Sequence, residues 1–408
     1  MFKSLFTGKT GSEKLQLFAL LALPWVSGVT FALMTAVQSM ADAFTDVPYN
    51  AVVLVSTLPN LTLVASSLFA GFIVGKKLRL KTHILISACV FITMGALPAV
   101  LNNFTLIAIC RAVFGLGFGL FTPISNSYIF LLTKPEDRPM LLGVFLSSVC
   151  VAQVVFTLLA GVLCSISWRY AFLVNLIAII PLIFVTRVLP NPPKADKTVE
   201  PQETEGTTGH LREKNTGTLL IKCLPFLVLS FMYSLFCSPV LVSMSSIIQE
   251  GQLGSAATAG VVLAFQPVTG IIAGLVYGTL AKCMKKMILP FLLLMCAIGM
   301  AFVYIGEGLF LIVLGSAINA FGGMMLTPAV TNVVGRLIKK EGIGLFTGFN
   351  QAFGNLGFFA FTGLIAILTG FGLSDVRSPV LVSSIFLFAI TIIVLLCVLA
   401  GKKMNKSD

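Results

Sequence analysis

One arginine is the most unusual residue of this chain. The sequence carries 27 Lys and Arg and 15 Asp and Glu residues, and all of them except Arg111 fall in short segments between long apolar stretches. A charged side chain inside hydrocarbon costs at least about 2.5 kcal/mol on insertion scales, so it persists mainly where it faces a cavity or a partner. The guanidinium stays protonated at physiological pH. We therefore predict one of two roles for Arg111 inside a membrane. It either binds an anion or takes part in coupling, or it has a structural role in which it donates hydrogen bonds to neighbouring carbonyls.

Uncharged polar and aromatic side chains within the apolar stretches form a second set of candidates. Several amides lie about ten to thirteen residues into a stretch, near the midplane at 1.5 Å of helix rise per residue. Each amide could instead bridge two helices, and each aromatic could be a core residue. A mostly apolar pocket with a few fixed polar groups suits a small molecule. We predict a substrate site formed by Arg111, Asn60, Gln153, Tyr233, Gln266, Asn319, Asn350, Asn355 and Trp25.

The composition identifies the class of protein. Hydrophobic residues make up 57% of the 408 residues and charged residues 10%, and the mean hydropathy is +1.01. Soluble domains carry about 25% charged residues, so this chain is an all-α membrane protein and not a soluble one. It contains no Gly-rich phosphate loop and no close cluster of His, Cys or acidic residues, so we predict no enzymatic activity, no metal and no cofactor.

Twelve apolar stretches are long enough to cross the hydrocarbon layer as helices. We predict spans 1 to 6 over residues 15–40, 50–74, 82–101, 104–132, 142–165 and 170–188, and spans 7 to 12 over 218–248, 257–281, 287–305, 309–333, 343–369 and 380–400. The segment 190–217 is rich in Pro, Gly, Thr and charge and buries too little apolar area to fold. It is a predicted cytoplasmic linker between an N-terminal six-helix bundle, 1–189, and a C-terminal one, 218–408.

The loop charges predict the orientation. With the N-terminus in the cytoplasm, nearly all Lys and Arg residues of the loops lie inside, and only Arg169 and Arg377 lie outside. This distribution follows the positive-inside rule and places both termini in the cytoplasm of a multi-pass cell-membrane protein. The net charge of +12 is thereby a topology signal, and we predict no nucleic-acid partner.

The two halves of the chain repeat each other. The segment from Leu106 aligns with the segment from Leu311, so that Thr122 and Pro123 coincide with Thr327 and Pro328. Parallel six-helix repeats imply two bundles that rock around a central site, which is alternating access.

Four short motifs resemble those of the major facilitator superfamily. GFIVGKKLRLK from Gly71 resembles the loop signature after span 2, although Gly75 and Leu78 replace the usual Asp and second Gly. RAVFGLGFG from Arg111 resembles span 4 of proton-coupled members, PEDRPMLLG from Pro135 the acidic stretch that follows it, and SWRYAF from Ser167 the start of span 6. The resemblance implies the major facilitator fold, with spans 1, 4, 7 and 10 lining the cavity, and it is strongest to the drug-efflux branch.

The same motifs suggest a gate and close helix packing. We predict that Lys76 and Arg79 in one cytoplasmic loop, with Glu136 and Arg138 in another, form an inner gate of opposite charges. The three glycines after Arg111 are spaced for helix packing more than for ligand contact: Gly115, Gly117 and Gly119.

Proton coupling is not evident in the membrane interior. No Asp or Glu lies within a predicted span; Asp42 and Glu250, at the outer ends of spans 1 and 7, come nearest. Three functions remain open: proton-coupled efflux of amphipathic small molecules, which we favour; uptake or exchange of a small organic anion with Arg111 as counter-charge; and a membrane receptor or scaffold that transports nothing. The expected partners are a small-molecule substrate, the lipid bilayer and protons, and the expected state is a monomer.

Overall fold

The structure is a computed structural model that describes residues 10–73, 80–132, 138–190, 216–335, 337–338 and 343–404. Within these ranges the regular secondary structure is helical and contains no strand. By length and hydropathy, 11 segments of the described chain could cross a membrane. The spans lie at Gly11–Ala43, Tyr49–Ile73, Leu80–Ala96 with the 3-10 turn Leu97–Val100, Phe104–Leu132, Arg138–Ile166, Trp168–Val188, Thr216–Val242 with Met244–Glu250, Ala256–Met284, Ile288–Ile305, Leu309–Val334, Ile343–Gly370 and Ser378–Met404.

One of the 11 segments contains two spans. Ala256–Ile305 is 50 residues long, which as a single helix would extend about 75 Å, more than twice the thickness of the hydrocarbon layer. A 3-10 turn, Lys285–Met287, interrupts it, and Lys285 has a φ of 49°. The chain therefore reverses between spans 8 and 9, and the prediction of twelve spans in two six-helix bundles is confirmed.

Spans 1 and 7 differ from the continuous helices that the sequence predicts. In span 1, a nine-residue 3-10 helix, Gly28–Ala36, separates two α-helices. In span 7, the helix breaks at Ser243. Each irregular segment begins one turn after a proline, Pro24 or Pro239. Both breaks lie in the same half of the membrane.

Glycines set the packing of span 4 and of its repeat, span 10. A side chain at Gly117 would meet the backbone nitrogen of Phe91 in span 3 at 2.9 Å, and one at Gly322 would meet the carbonyl oxygen of Leu292 in span 9 at 2.7 Å. Gly115 and Gly119 approach span 2 still more closely. The expectation that these glycines serve helix packing is confirmed, and the repeat recognised in the sequence occupies equivalent places in the two bundles.

The two membrane faces differ in charge. The acidic face carries Asp42, Asp46, Glu250, Glu307 and Asp375, at the ends of spans 1, 7, 9 and 11. The basic face carries Lys81, Lys282, Lys285 and Lys286, at the ends of spans 3 and 8. Nearly all of the predicted linker 190–217 lies outside the described residues, so its boundaries stay a prediction.

Candidate functional site

Arg111 lies inside the N-terminal bundle and not on its surface. The side chain is 2% exposed. Its Nε donates a hydrogen bond to the carbonyl oxygen of Val55 in span 2 at 3.3 Å, and its guanidinium carbon lies 4.4 Å from the ring centre of Phe114. A desolvated cation over an aromatic face gains about 2 kcal/mol. The hydrogen bond joins span 4 to span 2 and the ring contact lies within span 4, as the structural alternative for Arg111 requires.

Four of the predicted site residues form hydrogen bonds within the C-terminal bundle. Asn319 donates to the carbonyl oxygen of Cys296 at 3.1 Å, which joins spans 10 and 9. Gln266 donates to the carbonyl oxygen of Val240 and to Ser316, each at 3.4 Å. Hydroxyl bonds join Tyr233 to Thr327 at 2.6 Å and Ser230 to Asn350. In this conformation these side chains hold spans 7 to 11 together.

Three other amides retain hydrogen-bonding capacity. The Asn60 and Asn355 amides each donate to a carbonyl of their own helix, at Thr57 (3.3 Å) and Gln351 (3.0 Å). No hydrogen bond within the described chain involves Gln153. All three side chains are half-buried, so each can offer donors and acceptors to a ligand.

The helical register places these amides beside the contacts between the bundles. In span 2, Thr57 shares a hydrogen bond of 2.6 Å with Thr362 of span 11. Asn60 is three residues from Thr57 and Asn355 is seven from Thr362, both toward the basic face, so each lies on the same helix stripe as its threonine. The two amides therefore line the junction of spans 2 and 11, one to two turns beyond the threonine pair.

Gln153 has the matching position at the other junction. In span 5, a side chain at Gly161 would meet the Cα of Gly260 in span 8 at 2.9 Å, and the carbonyl of Thr157 is also close to Gly260. Gln153 lies four residues before Thr157 and eight before Gly161, on the same helix stripe. On the adjacent stripe, Phe156 meets the ring of Trp25 edge to face at 6.0 Å. Asn60, Gln153 and Asn355 are thus the predicted residues whose register lies beside the contacts between the bundles, whereas Trp25 contacts Phe156 of its own bundle.

Hydroxyl and amide contacts close the acidic face. Hydrogen bonds between described residues cross from one bundle to the other in this half: Ser39 with Gln249 (3.2 Å), Tyr49 with Ser246 (2.9 Å), Ser245 with the carbonyl of Thr35 (2.7 Å), and Thr57 with Thr362. Thr35 lies in the 3-10 segment of span 1, and the two serines follow the break in span 7. The irregular backbone of both spans thereby contributes to the closure.

The comparison with known families agrees with this architecture. The sequence profile described as Major Facilitator Superfamily matches residues 19–250 and 226–407. The chain belongs to the major facilitator superfamily. This major facilitator protein is therefore a multi-pass membrane transporter.

Curated relatives match only short parts of this transporter. An uncharacterised MFS-type transporter of Schizosaccharomyces pombe is 31% identical over 150 residues, 35% of this chain and 23% of that protein. Multidrug resistance protein 3 of Bacillus subtilis is 31% identical over 109 residues, 26% of this chain and 21% of that protein. The chain thus matches less than a quarter of the length of either relative.

Solved structures share the fold of this major facilitator transporter over nearly its whole length. A bacterial homologue of the human lysosomal transporter Spinster, in an inward-facing and occupied conformation, has a TM-score of 0.74 at 14% identity and covers 96% of this chain and 97% of that one. A nucleoside transporter has a TM-score of 0.73 at 12% identity and covers 95% of this chain and 99% of that one. The human organic anion transporter MFSD10 has a TM-score of 0.64 at 15% identity and covers 95% of this chain and 100% of that one.

The predicted inner gate of the transporter stays a prediction. Lys76, Arg79 and Glu136 lie outside the described residues, and Arg138 is described only as the first residue of the span 5 helix. Among the residues with a described position, no three His, Cys, Asp or Glu side chains could together hold a metal ion.

The closure at the acidic face was not predicted from the sequence. Ser245, Ser246 and Gln249 follow Pro239 in span 7, and a run of polar residues after an internal proline could have indicated a helix break with its own contacts. Gly161 and Gly260 gave no such signal, because small residues are common throughout membrane helices.

Proposed function

We propose that this transporter exports amphipathic small molecules in exchange for protons and binds them between its two bundles. Asn60, Gln153 and Asn355 supply neutral hydrogen-bonding groups from both sides, and Trp25 supplies an aromatic wall. The positive-inside rule assigns the basic face to the cytoplasm. The conformation described here, closed at the acidic face, is then the one that receives substrate from the cytoplasm.

One observation carries the proposal: the hydrogen-bonding capacity that remains between the bundles belongs to neutral amides, whereas Arg111 is 2% exposed and donates to Val55. An organic anion would need a counter-charge at the binding site, because burying an unpaired carboxylate is costly. Neutral amides in an apolar setting suit amphipathic molecules instead. The local similarity to multidrug resistance protein 3 of Bacillus subtilis supports the same substrate class.

The energy source follows from the fold class and from the absence of a nucleotide-binding motif. Rocking bundles around a central site use an ion or substrate gradient. Within the spans the described chain offers no acid at the membrane midplane, and the carboxylates that come nearest to it are Asp42 and Glu250 at the acidic face. These two side chains are therefore the candidates through which a proton gradient acts.

Reconstituted vesicles separate the candidate functions. Purified transporter in proteoliposomes is tested for counterflow of a labelled lipophilic cation and, in parallel, of a labelled carboxylate, with and without a pH gradient. We expect counterflow of the cation, acceleration by the pH gradient, and loss of both when Gln153 and Asn355 are replaced by leucine. Counterflow of the carboxylate alone would favour the anion-exchange alternative, and the absence of any flux would favour a receptor or scaffold.

A further inference from the structure

Two thiols from different spans contact one asparagine inside the C-terminal bundle. Asn319 of span 10 donates its Nδ2 to the sulfur of Cys237 in span 7 at 3.8 Å. The Cys296 thiol of span 9 donates to the backbone carbonyl oxygen of Asn319 at 3.7 Å, and Asn319 Nδ2 donates in return to the carbonyl oxygen of Cys296 at 3.1 Å. Cys237 and Cys296 therefore approach the same turn of span 10, one from span 7 and the other from span 9.

The packing of span 10 fixes where the Cys296 thiol lies. Gly322 is three residues after Asn319, and a methyl group at Gly322 would meet the Cys296 sulfur at 2.8 Å. One atom, Asn319 Nδ2, contacts both the Cys237 sulfur and the Cys296 carbonyl oxygen, so those two atoms are separated by less than the sum of the two contacts. The two thiols are also within interaction range of each other. The pair therefore forms a compact two-sulfur site, Cys237 with Cys296.

Both sulfurs of the two-sulfur site are available to a ligand. Cys237 and Cys296 are free cysteines, and a thiol is only a weak donor and a weak acceptor of hydrogen bonds, so their contacts with Asn319 are easily replaced. Cys237 is half-buried, whereas Cys296 is 0% exposed. A small ion can therefore reach the site through Cys237, but a bulky reagent would have to displace the helices to reach Cys296.

Two sulfur ligands suit a soft metal ion. Thiolates select soft ions such as monovalent copper over hard ions such as magnesium and calcium. Monovalent copper and silver and divalent mercury are satisfied by two sulfur ligands in line. Zinc fits less well, because it takes at least three protein ligands and no three His, Cys, Asp or Glu side chains of the described chain lie together.

We propose that the two-sulfur site binds one soft metal ion, which links span 7 to span 9 and inhibits transport. Binding forms two metal–sulfur bonds and releases the two thiol protons to the solution, so it requires no oxidant. Span 7 carries Ser245 and Ser246, which close the acidic face, so an ion that fixes span 7 to span 9 opposes the opening of that face. The inference rests on the proposed function only where flux is measured, because binding of the ion is measured without a substrate.

Mercuric chloride tests the site, because this neutral compound reaches thiols from water and from lipid. Purified transporter is reduced with a phosphine, loaded with mercuric chloride and then exposed to an excess of glutathione, and the mercury that remains bound is measured by elemental analysis. Two sulfurs on one protein compete with a free monothiol through their effective concentration, whereas single cysteines lose their mercury to it. We expect the parent to retain one mercury per molecule and Cys237→Ser and Cys296→Ser to retain none. Cys223→Ser, at a buried cysteine of the same span 7, is the matched control and should retain one.

Flux measurements on the same samples test the inhibition. After mercury and glutathione treatment in proteoliposomes, we expect counterflow of the labelled cation to fall at least tenfold in the parent and in Cys223→Ser. Cys237→Ser should keep its own untreated rate. A dithiol such as 2,3-dimercaptopropanol removes the ion and should restore the rate of the parent.

Two results would overturn the site: loss of all mercury from the parent, or equal retention by the parent and Cys237→Ser. Because Cys296 is fully buried and its replacement can disturb folding, Cys237→Ala provides a second variant at the half-buried position. Retained mercury with an unchanged rate of transport would overturn the inhibition. Absence of the site in a working exporter would refute only this inference, and a site that forms in a protein that exports nothing would refute only the proposed function.

Discussion

Arg111 contacts span 2 close to the interface between the bundles. Its Nε donates to Val55, two residues before Thr57, and Thr57 meets Thr362 across the bundle interface. The guanidinium therefore positions the part of span 2 that contacts the other bundle. A lysine keeps the charge but has neither the planar group that lies against Phe114 nor the Nε donor.

We expect Arg111→Lys to lower the initial transport rate about tenfold, because a hydrogen bond from a charged group contributes about 1.5 to 3 kcal/mol. Arg111→Gln should abolish transport. Both variants should insert and stay monodisperse, since Arg111→Lys leaves the charge as it is and Arg111→Gln removes it and so relieves an insertion cost. Flux and size-exclusion profiles are compared with Arg169→Lys, a surface arginine that also donates to a carbonyl, that of Leu101. Parental transport by Arg111→Gln would mean that the contact is dispensable.

Two glutamines of the spans should respond differently to the same substitution. Gln153 has no hydrogen bond within the described chain, whereas Gln266 bridges span 8 to Val240 and Ser316. Gln153→Leu should weaken substrate binding about two- to tenfold, the effect of one hydrogen bond, with the melting temperature unchanged. Gln266→Leu should lower the melting temperature, because bonds between membrane helices contribute roughly 0.6 kcal/mol each. Binding isotherms and thermal unfolding are measured on both variants. Weaker binding in Gln266→Leu and a lower melting temperature in Gln153→Leu would contradict this prediction, because Gln266 would then bind substrate and Gln153 would support the structure.

At the scale of the elements, closure of the acidic face depends on the approach of spans 5 and 8. Any side chain at Gly161 would lie 2.9 Å from the Cα of Gly260, too close for two carbon atoms. Gly161→Leu should therefore hold the acidic ends of the two spans apart, lengthen the distance between spin labels on cysteines introduced at Thr45 and Ser374, which are exposed on different bundles, and reduce transport. Gly274→Leu is the matched control in span 8, since a side chain there meets nothing within 4 Å. An unchanged distance in Gly161→Leu would show that closure does not need this contact.

The elements themselves could be predicted from the sequence, but their contacts could not. Span 10 was predicted over 309–333 and is Leu309–Val334, because a long apolar run in a membrane chain has few alternatives to a helix. Asn319 and Asn355 give the same signal, an amide in the middle of a span. One is 5% exposed and joins two helices, and the other is half-buried beside the interface. The difference depends on how each helix is rotated against its neighbours, which tertiary packing decides.

At the scale of the whole molecule, the contacts that close the acidic face are individually weak. The hydrogen bonds across the acidic face join neutral groups, and each contributes roughly 0.6 kcal/mol in a membrane protein. A transporter must keep its two states within a few kcal/mol of each other, so that substrate or protons can shift the balance. Spans 1 and 7, the first of each repeat, provide much of this closure from their irregular segments, and the two bundles thereby contribute matching halves of one gate.

The orientation of the molecule decides which way this gate works. Lys81, Lys282, Lys285 and Lys286 lie at the basic face, and lysines next to membrane spans are retained in the cytoplasm. Native Cys283 is exposed at that face and Thr45 at the acidic face. Two variants are compared, one with Thr45→Cys as its single cysteine and one that keeps only Cys283. When a membrane-impermeant maleimide is added to intact cells, we expect the cysteine at position 45 to react at once. We expect Cys283 to react only after the cells are permeabilised. Both must react in permeabilised cells, which controls for accessibility. Labelling of Cys283 in intact cells would reverse the orientation, and the closed face would then be the cytoplasmic one, in a conformation that takes up substrate from outside.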